Sequence, residues 1–308
     1  MSQITAPVAY AAIGSIIIDD IVDPCGRSTM GVLGGGGTHA VAGMRVWSRH
    51  TALVSVIGQG FPEAAWQRLL QLADTRAVLL RPGAQPRFWQ LFEADGTRHE
   101  LPRTDFALFQ RSAVRPDEFP PEFASVRGVF LQTPTTETTL AWVARLRALN
   151  PAMVILWEPW EIYFRPENLA GLRQALPLVD VFSPQTAELG WLLGETGPRQ
   201  QAAQLFEMGA RCVALRLGAA GSLVGRAGQL HHLPAIAAPV VDETGAGNAY
   251  CGGFVVGYVE SGGDAVTAGR YGAVSATFAL AQVGVPLPGD HSRAAAETLL
   301  AQQKTPGG

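Results

Sequence analysis

The stretch VVDETGAGNAYCGGF, from Val240 to Phe254, decides how this chain is read. A β-like run enters a glycine-rich turn, and a helix rich in small residues is predicted from Ala246 to Tyr258. Successive glycines let backbone N–H groups converge on an anion. The helix N-terminus adds a partial positive charge at the same point, so phosphate is the natural ligand. A plain tight turn before a helix gives the same local pattern, and the rest of the chain has to decide between the two.

Working outward, Val8 to Ile18, Ala52 to Ile57, Met153 to Trp157, Leu178 to Phe182 and Cys212 to Leu217 are short apolar runs. Their length and continuous hydrophobicity predict strands buried on both faces of a parallel sheet. Between them Ala40, Met44 and Trp47, and again Trp142, Leu146 and Leu149, recur at helical spacing. Tyr271, Val274, Phe278 and Ala281 predict one face of a further helix. Alternating strands and helices predict a doubly wound α/β sandwich. Arg87 to Leu101 differs: two short amphipathic runs around Asp95-Gly96 predict a hairpin off the main sheet.

Composition narrows the function. Of 308 residues 47% are hydrophobic, enough for a sizeable core. A formal charge of -3 without a Lys/Arg cluster argues against nucleic acid or an anionic membrane as partner. The apolar N-terminal run lacks a basic leader, and the uncharged run from Tyr271 to Pro288 is broken by polar residues and prolines, so neither a signal peptide nor a membrane span is expected. Cys25, Cys212 and Cys251 are widely spaced, which suggests no disulfide framework or zinc site and fits a reducing cytoplasm. Lys304, in the polar tail, is the sole lysine. A cation acting on phosphate inside the fold must therefore be an arginine or a metal ion, and the GxxxxGKS or GxxxxGKT phosphate loop is absent.

DETGAGNAYCGGF closely resembles the D-T-x-G-A-G-D-x-F-x-G-G signature of the PfkB/ribokinase family of carbohydrate and nucleoside kinases. The resemblance extends in order over most of the chain. GSIIID, ending at Asp19, is similar to the family's first strand, whose Asp holds substrate hydroxyls. GGGGTHAVAGMRVWS (Gly34 to Ser48) is similar to its di-glycine segment, placing Gly35, Gly36 and His39 at the acceptor. SPQTAELGWLLG (Ser183 to Gly194) resembles the segment that organises magnesium and phosphates, with Glu188 matching and Gln185 standing for an Asn. RLGAAGSLV (Arg216 to Val224) resembles the nucleotide-side loop, with Gly218 and Gly221 allowing close approach. Each piece also has a bland local reading, as strand cap, helix packing, dipole partner or strand turn.

The resemblance implies a ribokinase-like three-layer α/β/α sandwich, a single domain over residues 1–308 with lid segments near 19–33 and 86–101. It further implies an ATP- and Mg²⁺-dependent kinase for an alcohol group of a sugar, nucleoside or related metabolite. Thr244, Gly245, Ala246 and Gly247 would take the transferred phosphoryl. A monovalent cation near Asp242 and homodimerisation through the lid come with the family. Asn248 stands where the family keeps its catalytic Asp, and an amide cannot act as a base. His39, Asp242, Glu158 or the phosphate itself would then take the proton. Gln59 replaces a family Asp, and Trp157-Glu158-Pro159-Trp160 replaces an asparagine-proline segment. Trp157, Trp160, Trp89 and Phe92 are candidates for an aromatic platform. A regulatory nucleotide- or metabolite-binding protein that kept the fold and lost the chemistry is the second reading.

Overall fold

The computed structural model describes residues 7–95, 97–105, 113–226 and 228–304. Gly96 of the expected hairpin turn, and residues 1–6 and 305–308 of the two termini, lie outside the described residues.

The chain opens with β1 (Tyr10–Ile13), then β2 (Ile17–Val22) and β3 (Ser28–Gly34), followed by α1 (Gly36–Arg45), β4 (Thr51–Gln59), α2 (Glu63–Leu72) and β5 (Asp74–Ala84). A hairpin of β6 (Arg87–Phe92) and β7 (Arg98–Pro102) precedes β8 (Gly128–Thr133), α3 (Thr136–Leu149), β9 (Val154–Pro159) and α4 (Leu169–Ala175). Next come β10 (Val181–Phe182), α5 (Thr186–Leu193), α6 (Pro198–Glu207), β11 (Val213–Arg216), β12 (Ser222–Arg226) and β13 (Gln229–Leu233). Finally α7 (Ala246–Glu260), α8 (Ala265–Leu280) and α9 (Asp290–Lys304) follow one another without an intervening strand among the described residues.

Nine strands form one sheet in the order β13-β12-β11-β10-β9-β8-β1-β4-β5. Its pairings are parallel from β11 to β5, and β12 and β13 close the other edge antiparallel. Side chains alternate between two apolar layers as a twofold pleat requires. Ala11, Ile13, Val129, Leu131, Ile155 and Trp157 join one, with α3 to α6. Tyr10, Ala12, Phe130 and Leu156 join the other, with α1, α2 and α7 to α9. This is the expected ribokinase-like three-layer sandwich.

Beside it stands a four-stranded sheet, β3-β2-β6-β7. The run Val8 to Ile18 is thus two strands in two sheets. The chain bends at Gly14, where a Cβ would stand 2.9 Å from Gly37 Cα, so Asp19 lies on β2 of the small sheet. Pairing of β2 with β6 is parallel, Ile18 opposite Arg87, while β6 and β7 form the expected antiparallel hairpin with Phe92 opposite Arg98. Asp20, its side chain fully buried, ties this sheet together: Arg87 at 2.7 Å, Arg103, and the Gly31 N–H at 2.8 Å all reach its carboxylate.

Two other expectations change. Leu178 to Phe182 is extended only at Val181–Phe182, because Pro177 lies in a 3-10 turn from Leu176 to Leu178. On α8 Val274 is buried, with Tyr271 and Phe278 packed against the same core as expected, but Ala281 is exposed past the helix end, and Ala268, Gly272, Ser275 and Ala279 are buried as well. Helices α1, α7 and α8 approach through glycines: a Cβ at Gly252 would collide with the Ala40 carbonyl, and one at Gly43 with that of Ala249. Among the described residues no helix is long and apolar enough to cross a membrane.

Candidate active site

Parallel strands put their carboxyl ends on one edge of a sheet, and the crevice outside those ends is where open α/β sheets bind ligands. Here β1 is flanked by β4 and β8, so the chain winds in opposite directions on its two sides. Gly14, Gln132, Glu158 and Arg216 sit at the ends of β1, β8, β9 and β11. The N-termini of α1 and α7 complete the crevice.

Gly245 caps α7 in the left-handed region, at φ +74. Glycine is required twice over, since a Cβ would also collide with the His39 ring. Asp242 Oδ1 accepts the Thr244 N–H at 2.9 Å and Oδ2 the Gly284 N–H at 3.4 Å, which shapes the turn. A Cβ at Gly247 would strike the Arg216 guanidinium. Thr244, Gly245, Ala246, Gly247 and Asn248 therefore form a helix start lined by an imidazole on one side and a guanidinium on the other.

Asn248 Nδ2 donates to Glu158 Oε2 at 2.9 Å. Arg216 reaches Glu158 Oε1 at 2.6 Å. Burial works against the Arg216 charge, but the Glu158 carboxylate, with Glu188 behind it, outweighs that and holds the guanidinium protonated. Arg216 also joins this centre to the next segment: its N–H donates to the Pro184 carbonyl, and it bridges to Gln185 at the start of α5.

One turn into α5, Glu188 has its pKa pushed up to about 7, mainly by burial, with Arg216 pulling the other way and Glu158 adding repulsion. Among the described residues no group of three or more His, Cys, Asp or Glu could hold a metal ion alone. Mg²⁺ needs less, because it binds through one or two carboxylates and completes its shell with phosphate oxygens and water. A desolvated carboxylate that a cation would relieve fits that demand. Gly218 (φ +60) is exposed with open space where a Cβ would point, while at Gly221 (φ +93) a Cβ would collide with the Leu233 carbonyl. The second glycine is thus needed by the β12-β13 hairpin itself.

On the β2 side of the crevice Asp19 is 1% exposed; Gln90 Nε2 donates to its Oδ1 at 3.1 Å, and a Cβ at Gly34 would collide with Oδ2. Burial raises its pKa to about 7, against the Gln90 hydrogen bond. Gly35 (φ +106) has Ser15 backbone where a side chain would be, and Gly36 faces Gln132. His39 is buried, and burial lowers its pKa to about 4 although Asp242 pulls the other way. Both His39 nitrogens, Gln90 Oε1, Gln132 Oε1, Arg216 Nε and Thr244 Oγ1 are buried with no protein partner among the described residues.

A model described as pfkB family carbohydrate kinase matches residues 105–290. The chain belongs to the pfkB family. It is similar to the cytidine kinase of Thermococcus kodakarensis, 28% identical over 248 residues, covering 80% of this chain and 87% of that protein. It is also similar to an uncharacterized protein of Schizosaccharomyces pombe, 26% identical and covering 91% and 86%. Burkholderia thailandensis nucleoside kinase in complex with inosine superposes with a TM-score of 0.74 at 16% identity, covering 96% of this chain and 99% of that one. An E. coli structure in complex with ATP and Mg²⁺ gives 0.74 at 18% identity and the same coverage. At such identities the solved structures speak for the fold alone.

Within this pfkB-family chain the sequence reading missed Arg216, Gln90 and Gln132 as site residues. Arg216 had a signal, since with the sole lysine in the tail a cation acting on phosphate inside the fold has to be an arginine or a metal ion. Trp157 is corrected: it is fully buried, packed on Tyr163 and Phe182, with Nε1 donating to Thr133 at 2.9 Å, so it belongs to the core and not to an aromatic platform.

Proposed function

We propose that this protein is an ATP-dependent phosphotransferase acting on an alcohol group of a sugar, nucleoside or related small metabolite. The observation that carries the reading is the helix start at Gly245–Gly247, held open between His39 and Arg216 at the carboxyl edge of the sheet. Backbone N–H groups there, with the Thr244 hydroxyl, suit the transferred phosphoryl group.

Asp19 and the backbone of Gly35 and Gly36 hold the acceptor in this reading. His39, neutral at pH 7, supplies a hydrogen bond to it and has little basicity. Gln185, Gly218 and Gly221 line the nucleotide side. Glu188 holds Mg²⁺, which supplies charge neutralisation on the phosphates when bound. The acceptor oxygen bonds to phosphorus as the bond to the ADP oxygen breaks, and the hydroxyl proton passes to a phosphoryl oxygen. Asn248 orients that hydroxyl. The small sheet acts as a lid, and exposed Met30 and Leu101 on its strands suit pairing of two lids in a homodimer. Three free thiols suit a reducing cytoplasm. A monovalent cation near Asp242 belongs to the same reading and rests on the family resemblance.

The kinship with a cytidine kinase and the fold of an inosine-binding nucleoside kinase favour nucleosides in the first screen. Purified protein with ATP, Mg²⁺ and a pooled panel of nucleosides, sugars and polyols is expected to give acceptor-dependent ADP and a phosphorylated product. The alternative, a ligand-binding regulator, is favoured by one observation: Asn248, at the family's Asp position, is already bonded to Glu158. It predicts ATP binding with no product from any acceptor.

A further inference from the structure

Glu158 is 4% exposed, and both its oxygens are engaged, one by Arg216 and one by Asn248. A carboxylate accepts hydrogen bonds and an amide can present either edge. Facing Glu158, Asn248 must present Nδ2, which turns Oδ1 to the opposite edge. Asn248 is only half-buried, and among the described residues no protein donor is recorded at Oδ1. That oxygen is left for a ligand.

We propose that Glu158 is a positioning residue for phosphoryl transfer, acting through Asn248: it locks the amide so that Oδ1 accepts the hydrogen bond of the acceptor hydroxyl. The inference rests on the kinase reading above. Glu158 also carries, one position away in space, the negative charge that an aspartate at 248 would bring. The two changes from the family pattern are then one change, a carboxylate moved from α7 to the end of β9. Arg216 shows why the move is coupled, because its positive charge lies between Glu158 and Gly247 and the one carboxylate in contact with it is Glu158. A second would face Glu158 at hydrogen-bond distance, where like charges oppose joint ionisation.

The test is steady-state kinetics of the unsubstituted protein, Glu158→Gln, Asn248→Asp and the double variant, with the acceptor found by the pooled screen. ATP binding and melting temperature are followed in each. Both single variants are expected to lose about tenfold or more in kcat with KM for ATP within about twofold, and the double variant to exceed either single, the non-additivity of a contacting pair. Unchanged kcat in Glu158→Gln, or Asn248→Asp as fast as the unsubstituted protein, overturns the proposal. Where Glu158→Gln does not fold, Asn248→Ala replaces it: an Asp variant no faster than the Ala variant supports the proposal, and a faster one overturns it. Absence of acceptor-dependent turnover in the unsubstituted protein, with ATP bound, overturns the kinase reading and this inference with it.

Discussion

The acceptor half of the crevice and its phosphoryl half are built in opposite ways. Around Asp19, Gln90, Gln132 and His39 the polar groups are buried and largely unpartnered. Around Glu158, Arg216 and Asn248 the charges are already matched by contacts of 2.6 and 2.9 Å. Unpartnered buried polar atoms cost stability until a ligand satisfies them, whereas a matched buried pair costs most when one member is removed. In the proposed reading the acceptor half is completed by its substrate. In the phosphoryl half the Glu158 contacts are in place before any ligand arrives, while Arg216 Nε and Thr244 Oγ1 are buried without a protein partner among the described residues.

The largest effect should come from breaking the assembled half. Arg216→Ala leaves Glu158 buried beside an empty space, and about 3–5 kcal/mol of stability should be lost, read as a fall in denaturant midpoint. A loss under 1 kcal/mol would mean that the pair is not buried as described. Next is Gly245→Ala, which must bring a Cβ into the His39 ring and strain a left-handed turn. Misaimed N–H donors should cost roughly 10²- to 10³-fold in kcat. His39→Ala combined with Gly245→Ala, which removes the collision, should recover part of that loss.

The acceptor half answers to pH. Asp19 has its pKa raised from 3.8 to about 7 by burial. The folded state therefore binds more protons than the unfolded one between those values, and the ligand-free protein loses stability as pH rises from 4 through 7. The full effect is about 2–4 kcal/mol at pH 8. Asp19→Asn should stabilise the ligand-free protein at pH 8, hardly at all at pH 4, and weaken acceptor binding. Equal stability changes at both pH values would show that Asp19 is not desolvated. The smallest effect concerns Glu188, whose pKa is also near 7. On the proposal that Glu188 holds Mg²⁺ through its ionised carboxylate, affinity for Mg²⁺ with ATP should increase by up to about tenfold per unit as pH is raised towards 7 and level off above it. The same slope in Glu188→Gln would place the titrating group elsewhere.

How much of this was legible follows from chain distance. The α7 start is one uninterrupted string from Asp242 to Asn248, so its glycines, cap and dipole could be read directly. The large sheet's strands announced themselves through continuous apolar runs. The small sheet was half visible: β6 and β7 are a local hairpin, but the parallel pairing of β2 with β6 joins residues far apart and split the first apolar run in two. Glu158 was noticed as a departure and Arg216 only as the first letter of a loop motif. Their contact depends on β9, β10 and β11 lying side by side, which no local periodicity encodes. Gly221 was read for a nucleotide, while the nearby Leu233 carbonyl already demands a glycine there.

In the proposed reaction the turn from Thr244 to Gly247 receives the phosphoryl group while the Glu158, Arg216 and Asn248 contacts stay in place. This is tested most directly by a crystal structure with ADP, Mg²⁺, aluminium fluoride and the acceptor identified by turnover. The fluoride group should lie within hydrogen-bond distance of the Gly245 and Gly247 N–H groups, since the Ala246 N–H already donates to the Glu243 carbonyl at 3.2 Å, with Asn248 Nδ2 still on Glu158 and Oδ1 on the acceptor hydroxyl. A fluoride group bound away from that helix start, or Asn248 turned off Glu158 toward solvent, would contradict it.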